Sequence, residues 1–303
     1  MRPALEIEDL RMSFNACDAL TGVTLNADRG EVLAVIGPNG AGKTTLISIV
    51  AGLLAPSSGC TRVLGLDATG ESKALRGRIG LAGQDIAVYP AHTVEENLRF
   101  FGSLNGLRRR ELTGAVEELL EVLQLGDLRK KRAAILSGGQ RRRLHVGCAL
   151  VYRPDVVMLD EPTAGADPET RQQLLRIVCQ QASRGSLVVY TTHYLAEVEE
   201  LRARVAVLAH GRIVAEGTVD RLIADHAASE LALRFEGALP TVDWPGARVL
   251  ADTLLLPTSN PTTDIVHALE AVAEHREQLC GLEIIRADLE RAYFNIVTDG
   301  GCS

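Results

Sequence analysis

The sequence has no long apolar run: nowhere in its 303 residues do eighteen or so uninterrupted apolar positions occur, the length a membrane-spanning helix needs. The opening MRPALEIEDLRM puts acids where a signal peptide needs an apolar stretch, so the expectation is a cytoplasmic chain that does not itself cross a membrane. An excess of positive charge is also missing. A formal charge of -7 argues against a dedicated nucleic-acid binder, and the short basic clusters Arg108 to Arg110, Arg129 to Arg132 and Arg141 to Arg143 read as solvated surface. The six cysteines, Cys17, Cys60, Cys148, Cys179, Cys280 and Cys302, form no C-x-x-C pair and lie near no His-x-x-x-His spacing. They read as reduced thiols with no metal site, and the ending GGCS lacks the cysteine four from the terminus that prenylation needs.

What is present is apolar residue in abundance, 46% of the chain, enough for one large core and a smaller second one in a soluble globular protein. LEIEDLRMSF, VTLNA and EVLAVI read as strands, and TTLISIVAGLL reads as a helix after a glycine-rich turn. From about residue 93 to 135 the apolar spacing of HTVEENLRFFGSL and ELTGAVEELLEVLQL predicts a helical insert, which with the next helix forms a subdomain over about 93–150. DVVMLDEP, LVVYTTH, RVAVLAHG and RIVAEG then alternate with helices starting near Pro168 and at YLAEVEELRA, the pattern of a largely parallel, helix-covered sheet.

After about residue 226 the pattern changes. ELALRFEG alternates, placing Leu231, Leu233 and Phe235 on one face; DIVHALEAVAEHRE offers Ile265, Leu269 and Val272; and ADLERAYFNIV adds Leu289, Tyr293 and Phe294 near helical spacing. These predict a small α/β accessory domain over 226–303, following a larger first domain over 1–225.

Three stretches carry chemistry. GPNGAGKT fits G-x-x-x-x-G-K-[ST] between a strand and a helix. Gly37, Gly40 and Gly42 let backbone amides turn inward as an anion nest at a helix N-terminus, which calls for a polyphosphate; Asn39, Ala41 and Thr45 belong to the same cradle. Lys43 is expected to reach the β and γ phosphates and the Thr44 hydroxyl to hold Mg²⁺. VVMLDEP delivers Asp160 to the magnesium shell and Glu161 as the group that orients or deprotonates water. In LSGGQ, Ser137, Gly138, Gly139 and Gln140 open a helix whose amides suit phosphate.

With a phosphate loop before it and LDEP after it, LSGGQ resembles the signature of the ATP-binding cassette ATPases, and the resemblance spans roughly residues 5 to 222. It implies a P-loop NTPase cassette: a RecA-like, mostly parallel sheet core with an antiparallel β subdomain and the helical subdomain. It further implies that Phe14 stacks on adenine, that Gln84 in GLAGQD touches Mg²⁺ and signals to a membrane subunit, and that Asp167 in AGADP crosses a dimer. His193, ending LVVYTTH, matches the switch histidine that contacts the γ-phosphate. The resemblance also implies a site completed between two subunits, so a homodimer or paralogue dimer is expected, with Lys43, Glu161 and His193 catalytic.

TTHYLAEVEEL, ENLRFFGSLNGL and the ending DLERAYFNIVTDG resemble ATPase subunits of ABC-2 type drug and antibiotic exporters. That resemblance implies a separate multi-spanning permease and a place at the cytoplasmic face of the membrane. The alternative is a soluble cassette switch with a non-transport partner, but the chain has neither the second cassette usual in ribosome-acting members nor the long coiled coil of DNA-repair members. A regulatory module without turnover would lack Glu161 or His193, and both are present.

Overall fold

The computed structural model describes residues 2–15, 17–68, 72–237 and 239–299. Cys302 lies outside them; Cys17, Cys60, Cys148, Cys179 and Cys280 are free thiols. The chain forms two compact units, one running to Val219 and the other starting at Asp220. Among the described residues no helix is long and apolar enough to cross a membrane.

In the first unit, β1 (Leu5–Phe14) and β2 (Cys17–Ala27) pair antiparallel. The second strand is longer than VTLNA because Cys17, Asp18, Leu20 and Thr21 continue the ladder opposite Phe14, Ser13, Met12 and Arg11. β3 (Val32–Ile36) leads through the glycine loop into α1 (Lys43–Val50). That helix ends before AGLL because Gly52 turns left-handed at φ 71°, and the amides of Leu53 and Leu54 fold back onto the Ser48 carbonyl. β4 (Ser58–Val63) and β5 (Leu66–Asp67) complete a four-stranded sheet in the order β2, β1, β4, β5.

β6 (Ile79–Ala82) precedes three helices, α2 (Val94–Leu104), α3 (Arg109–Val122) and α4 (Gly138–Leu150). Leu98 in α2, Val116 in α3 and Leu144 in α4 are fully buried. α4 crosses its neighbours closely at Gly147, where a Cβ would lie 2.3 Å from Leu123. Then β7 (Val156–Asp160), α5 (Pro168–Ser183), β8 (Leu187–Thr192), α6 (Leu195–Leu201), β9 (Arg204–Ala209) and β10 (Arg212–Thr218) alternate as their sequence predicts. They form a sheet in the order β10, β9, β3, β8, β7, β6, parallel except for β10 at its edge. Every residue of β7 and β8 is buried, as expected of parallel strands covered on both faces.

The second unit holds α7 (Val219–His226), β11 (Ser229–Phe235), β12 (Arg248–Leu250), β13 (Thr253–Thr258), α8 (Pro261–Ala271), β14 (Leu279–Ile285) and α9 (Leu289–Asp299). Its sheet is antiparallel in the order β12, β13, β11, β14. Leu231, Leu233 and Phe235 do share the buried face, against Leu254, Leu256, Ala268 and Val272. The helical stripes differ from their sequence reading. α8 packs through Ile265 and Ala268, and on to Val272, while Leu269 is 42% exposed. α9 buries Leu289, Ala292 and Ile296 and leaves Phe294 66% exposed. In both helices an alanine, Ala268 or Ala292, sits fully buried in the stripe that faces the core.

The basic cluster 141–143 also departs from the solvated reading. Only Arg141 is exposed; Arg143 Nη1 donates to the Leu123 carbonyl and to Gln173 Oε1, and Arg142 to two further carbonyls described below. One turn beyond Arg142, His145 is buried with Nδ1 lacking any partner. Burial, and then the charge of Arg142, hold its imidazole at about 4 against an ordinary 6.5.

The unfolded chain protonates this ring near pH 6.5, whereas the native chain refuses the proton until about pH 4. Its contribution to stability is therefore whole above pH 6.5 and is lost as pH falls toward 4, at up to about 1.4 kcal/mol per unit. Urea midpoints followed from pH 7 to 4 should fall more steeply for the wild-type chain than for His145→Gln; parallel curves would refute a buried neutral imidazole.

Candidate functional site

Four neighbouring parallel strands, β3, β8, β7 and β6, end on one edge of the central sheet, where open α/β sheets bind their ligands. Residues 37–45 follow β3, His193 follows β8, Asp160 ends β7 with Glu161 next, and Gln84 lies just beyond β6.

The three loop glycines answer different demands. At Gly37 a Cβ would stand 2.1 Å from the Leu208 carbonyl of β9, so the loop leaves the sheet pressed against the neighbouring strand. Gly42 has φ 104°, and a Cβ there would meet the Ala19 carbonyl at 2.5 Å. Gly40 faces open space and is required only by its φ of 81°. Gly42 is the N-cap of α1 and no side chain caps that end, which leaves the first amides of the helix available to an anion. Asn39 is exposed, Ala41 is buried with its amide donating to the Pro38 carbonyl, and Thr45 is half-buried. Lys43 is 7% exposed; its Nζ donates to the carbonyls of Gly37 at 2.8 Å and Pro38 at 3.1 Å. Burial pulls this ammonium below the usual lysine value, and the charges of Glu161 and Asp160 oppose the shift.

Asp160 is 2% exposed and is held on both oxygens: Thr44 Oγ1 donates to Oδ2 at 2.8 Å and Thr191 Oγ1 to Oδ1 at 2.5 Å. Glu161 has the left-handed φ of 48°, and its amide donates to the carbonyl and hydroxyl oxygens of Thr191. The Glu161 carboxylate lies 3.3 Å from His193 Nδ1. The His193 ring packs on Tyr194 with centroids 4.1 Å apart. Thr44 and Asp160 supply hard oxygens of the kind magnesium takes. Among the described residues no three His, Cys, Asp or Glu gather as a metal cage. These donors therefore fit an ion that brings phosphate oxygens and water with it.

The other sequence-selected residues stand apart. Phe14, at the end of β1, is 46% exposed, and Gln84 is exposed. Ser137 and Gln140 form a reciprocal cap on α4, each side chain accepting the other's amide. A Cβ on Gly138 would meet nothing, whereas one on Gly139 would lie 2.5 Å from Thr170 Oγ1 in the first turn of α5. Asp167 caps α5, accepting from the amide and hydroxyl of Thr170. Among the described residues no hydrogen bond or ion pair joins Phe14, Gln84, Asp167 or residues 137–140 to Lys43, Asp160 or Glu161.

Sequence reasoning missed Thr191 and Glu197. The Thr-Thr pair closing an otherwise apolar strand was the available signal for Thr191. Glu197, 2% exposed on α6, accepts from Tyr190 Oη and Thr192 Oγ1 on one oxygen and faces Arg171 Nε at 3.2 Å on the other. It anchors the residue next to His193.

The family profile described as "ABC transporter" matches residues 20–164. The daunorubicin resistance ATP-binding protein DrrA3 of Streptomyces coeruleorubidus is 36% identical, covering 98% of this chain and 96% of the relative. The daunorubicin/doxorubicin resistance ATP-binding protein DrrA of Streptomyces peucetius is 40% identical over 78% of this chain and 71% of its own. A solved structure of an ATP-binding subunit of an ABC transporter superposes with a TM-score of 0.68 at 31% identity, over 73% of this chain and 92% of that one. Matched to the first of these relatives over nearly its full length, and carrying the glycine loop and both acids on one sheet edge, this chain belongs to the ATP-binding cassette (ABC) transporter family of ATPases.

Proposed function

We propose that this chain hydrolyses ATP in a dimer at the cytoplasmic face of a membrane. There it powers a separate multi-spanning permease that exports drugs, antibiotics or lipid-like compounds. The observation that carries the site is the junction of Lys43, Thr44, Asp160, Glu161 and His193 at the ends of three adjacent strands. The substrate class rests on the relatives named for daunorubicin and doxorubicin resistance. The second unit is read as an accessory α/β domain.

In this reading Lys43 Nζ exchanges the Gly37 and Pro38 carbonyls for the β and γ phosphates, while the amides of residues 39–45 cradle the chain of phosphates. Thr44, Gln84 and Asp160 would hold magnesium, which would neutralise phosphate charge. Glu161 accepts a proton from the water that attacks the γ-phosphorus, the bond to the β–γ bridging oxygen breaks, and ADP leaves with that oxygen. His193, poised beside Glu161, contacts the γ-phosphate. Phe14 stacks on adenine. Residues 137–140 and Asp167 act across the dimer, the amides of Gly138 and Gly139, which the reciprocal Ser137–Gln140 cap does not use, reaching phosphate bound by the other copy.

Lys43→Ala should lower ATP affinity about a hundredfold or more, since it removes charge-assisted contacts to phosphate in a shielded nest. Equilibrium binding of a fluorescent ATP analogue reads this, and unchanged affinity would count against the loop assignment. Glu161→Gln should bind ATP normally but turn over at least a hundredfold more slowly and accumulate as a dimer by light scattering; wild-type turnover would remove Glu161 from the base role. Composite sites give a sharper test. Lys43→Ala and Ser137→Arg chains should each be nearly inactive alone yet recover phosphate release when mixed, because one of the two heterodimer sites then has both halves intact. Heterodimers that form without any recovery would refute the cross-subunit assignment.

A further inference from the structure

The middle arginine of the run 141–143 is tied to both loops that flank the hydrolytic acid. Arg142 Nη1 donates to the Gln84 carbonyl at 2.8 Å, and Nη2 donates to the Ala164 carbonyl at 3.3 Å. Ala164 closes a turn onto Glu161, its amide donating to the Glu161 carbonyl at 3.1 Å. Glu161 itself stands at φ 48°, a backbone conformation that a non-glycine residue keeps only where its surroundings over-determine it.

We propose that Arg142 is a positioning residue for ATP hydrolysis: its planar guanidinium clamps the Gln84 loop and the Glu161–Ala164 turn onto α4, and thereby holds Glu161 in the strained conformation that aims its carboxylate. The inference rests on Glu161 being the base. The restraints on Glu161 then come from two sides. Thr191 on β8 fixes its amide, and Arg142, through Ala164, fixes its carbonyl. A guanidinium suits the task because its donors diverge in a rigid fork that spans two carbonyls from different loops, which an ammonium on a flexible stem does not. Burial pulls Arg142 below the usual arginine value while the charges of Asp85 and Glu161 work against that shift, so the fork also sits in the field of the acid it positions.

α4 begins at the Ser137 cap, five positions before Arg142 on the same helix. Any displacement of residues 137–140 therefore moves the clamp with them, and the Gln84 loop and the Glu161 turn follow together.

Hydrogen–deuterium exchange on the full nucleotide-free chain, paired with Mg²⁺-ATP turnover, tests this. In Arg142→Ala the amides of 84–87 and 161–167 should exchange about tenfold or more faster, as loss of a charged hydrogen bond implies, while the remaining cassette amides keep wild-type rates. Turnover should fall about tenfold in kcat with KM for ATP unchanged. Arg142→Lys, which keeps the charge but not the fork, should fail to restore either readout. Wild-type exchange in both loops overturns the proposal, as do uniformly faster exchange across the cassette, full rescue by lysine, or an unchanged kcat beside faster loop exchange. Exchange is read without nucleotide, so it stands apart from whether Glu161 is the base, which the turnover of Glu161→Gln decides.

Discussion

The candidate site depends on one buried carboxylate. Asp160 ends a strand buried along its whole length, and an unpaired charge there would cost several kcal/mol. Two hydroxyls remove most of that penalty, Thr44 from the first turn of α1 and Thr191 from β8. The same bonds set geometry. They draw the helix that follows the glycine loop and two adjacent strands to one point, and Thr191 goes on to orient the Glu161 amide. A carboxylate tied by hydroxyls rather than by arginine keeps its negative charge for a cation that arrives with phosphate.

The sheet order extends this local knot along one sheet edge. β8 lies between β3 and β7, so the glycine-rich loop after β3 and Glu161 after β7 flank the strand that His193 follows. Glu197 stabilises that strand end from beneath, taking hydroxyl donors from Tyr190 and Thr192 and pairing with Arg171 of the helix that Asp167 caps. The helical region meets the same edge through Arg142. Glu161 keeps a left-handed φ while Thr191 of β8 restrains its amide and Arg142 of α4, through Ala164, its carbonyl.

Much of this was legible in the sequence because glycine, lysine and acid spacing encode backbone geometry directly. GPNGAGKT, LDEP and the Ser137 cap were read with their structural settings, and the alternation of β7, β8 and β9 with helices followed from unbroken apolar runs. What the sequence concealed were contacts to backbone carbonyls, which no residue identity announces. The roles of Arg142 and Arg143 are of this kind, since an arginine run reads as surface until its acceptors are known. Gly37 was assigned to amide exposure, but its decisive neighbour is the Leu208 carbonyl, far along the chain. In the second unit, periodicity located α8 and α9 correctly but favoured large side chains for their buried faces, whereas Ala268 and Ala292 occupy them.

In the proposed function Asp160 and Thr44 form a prepared oxygen site for the cation that accompanies ATP. Replacing Asp160 with asparagine keeps the shape and removes the charge, so ATP affinity titrated with and without Mg²⁺ isolates that function. Mg²⁺ should tighten ATP binding to the wild-type chain by about tenfold or more, an electrostatic gain of the size expected for one paired charge in a partly buried site, and should give little or no tightening in Asp160→Asn. An Asp160→Asn chain whose Mg²⁺ enhancement equals that of wild type would contradict the account.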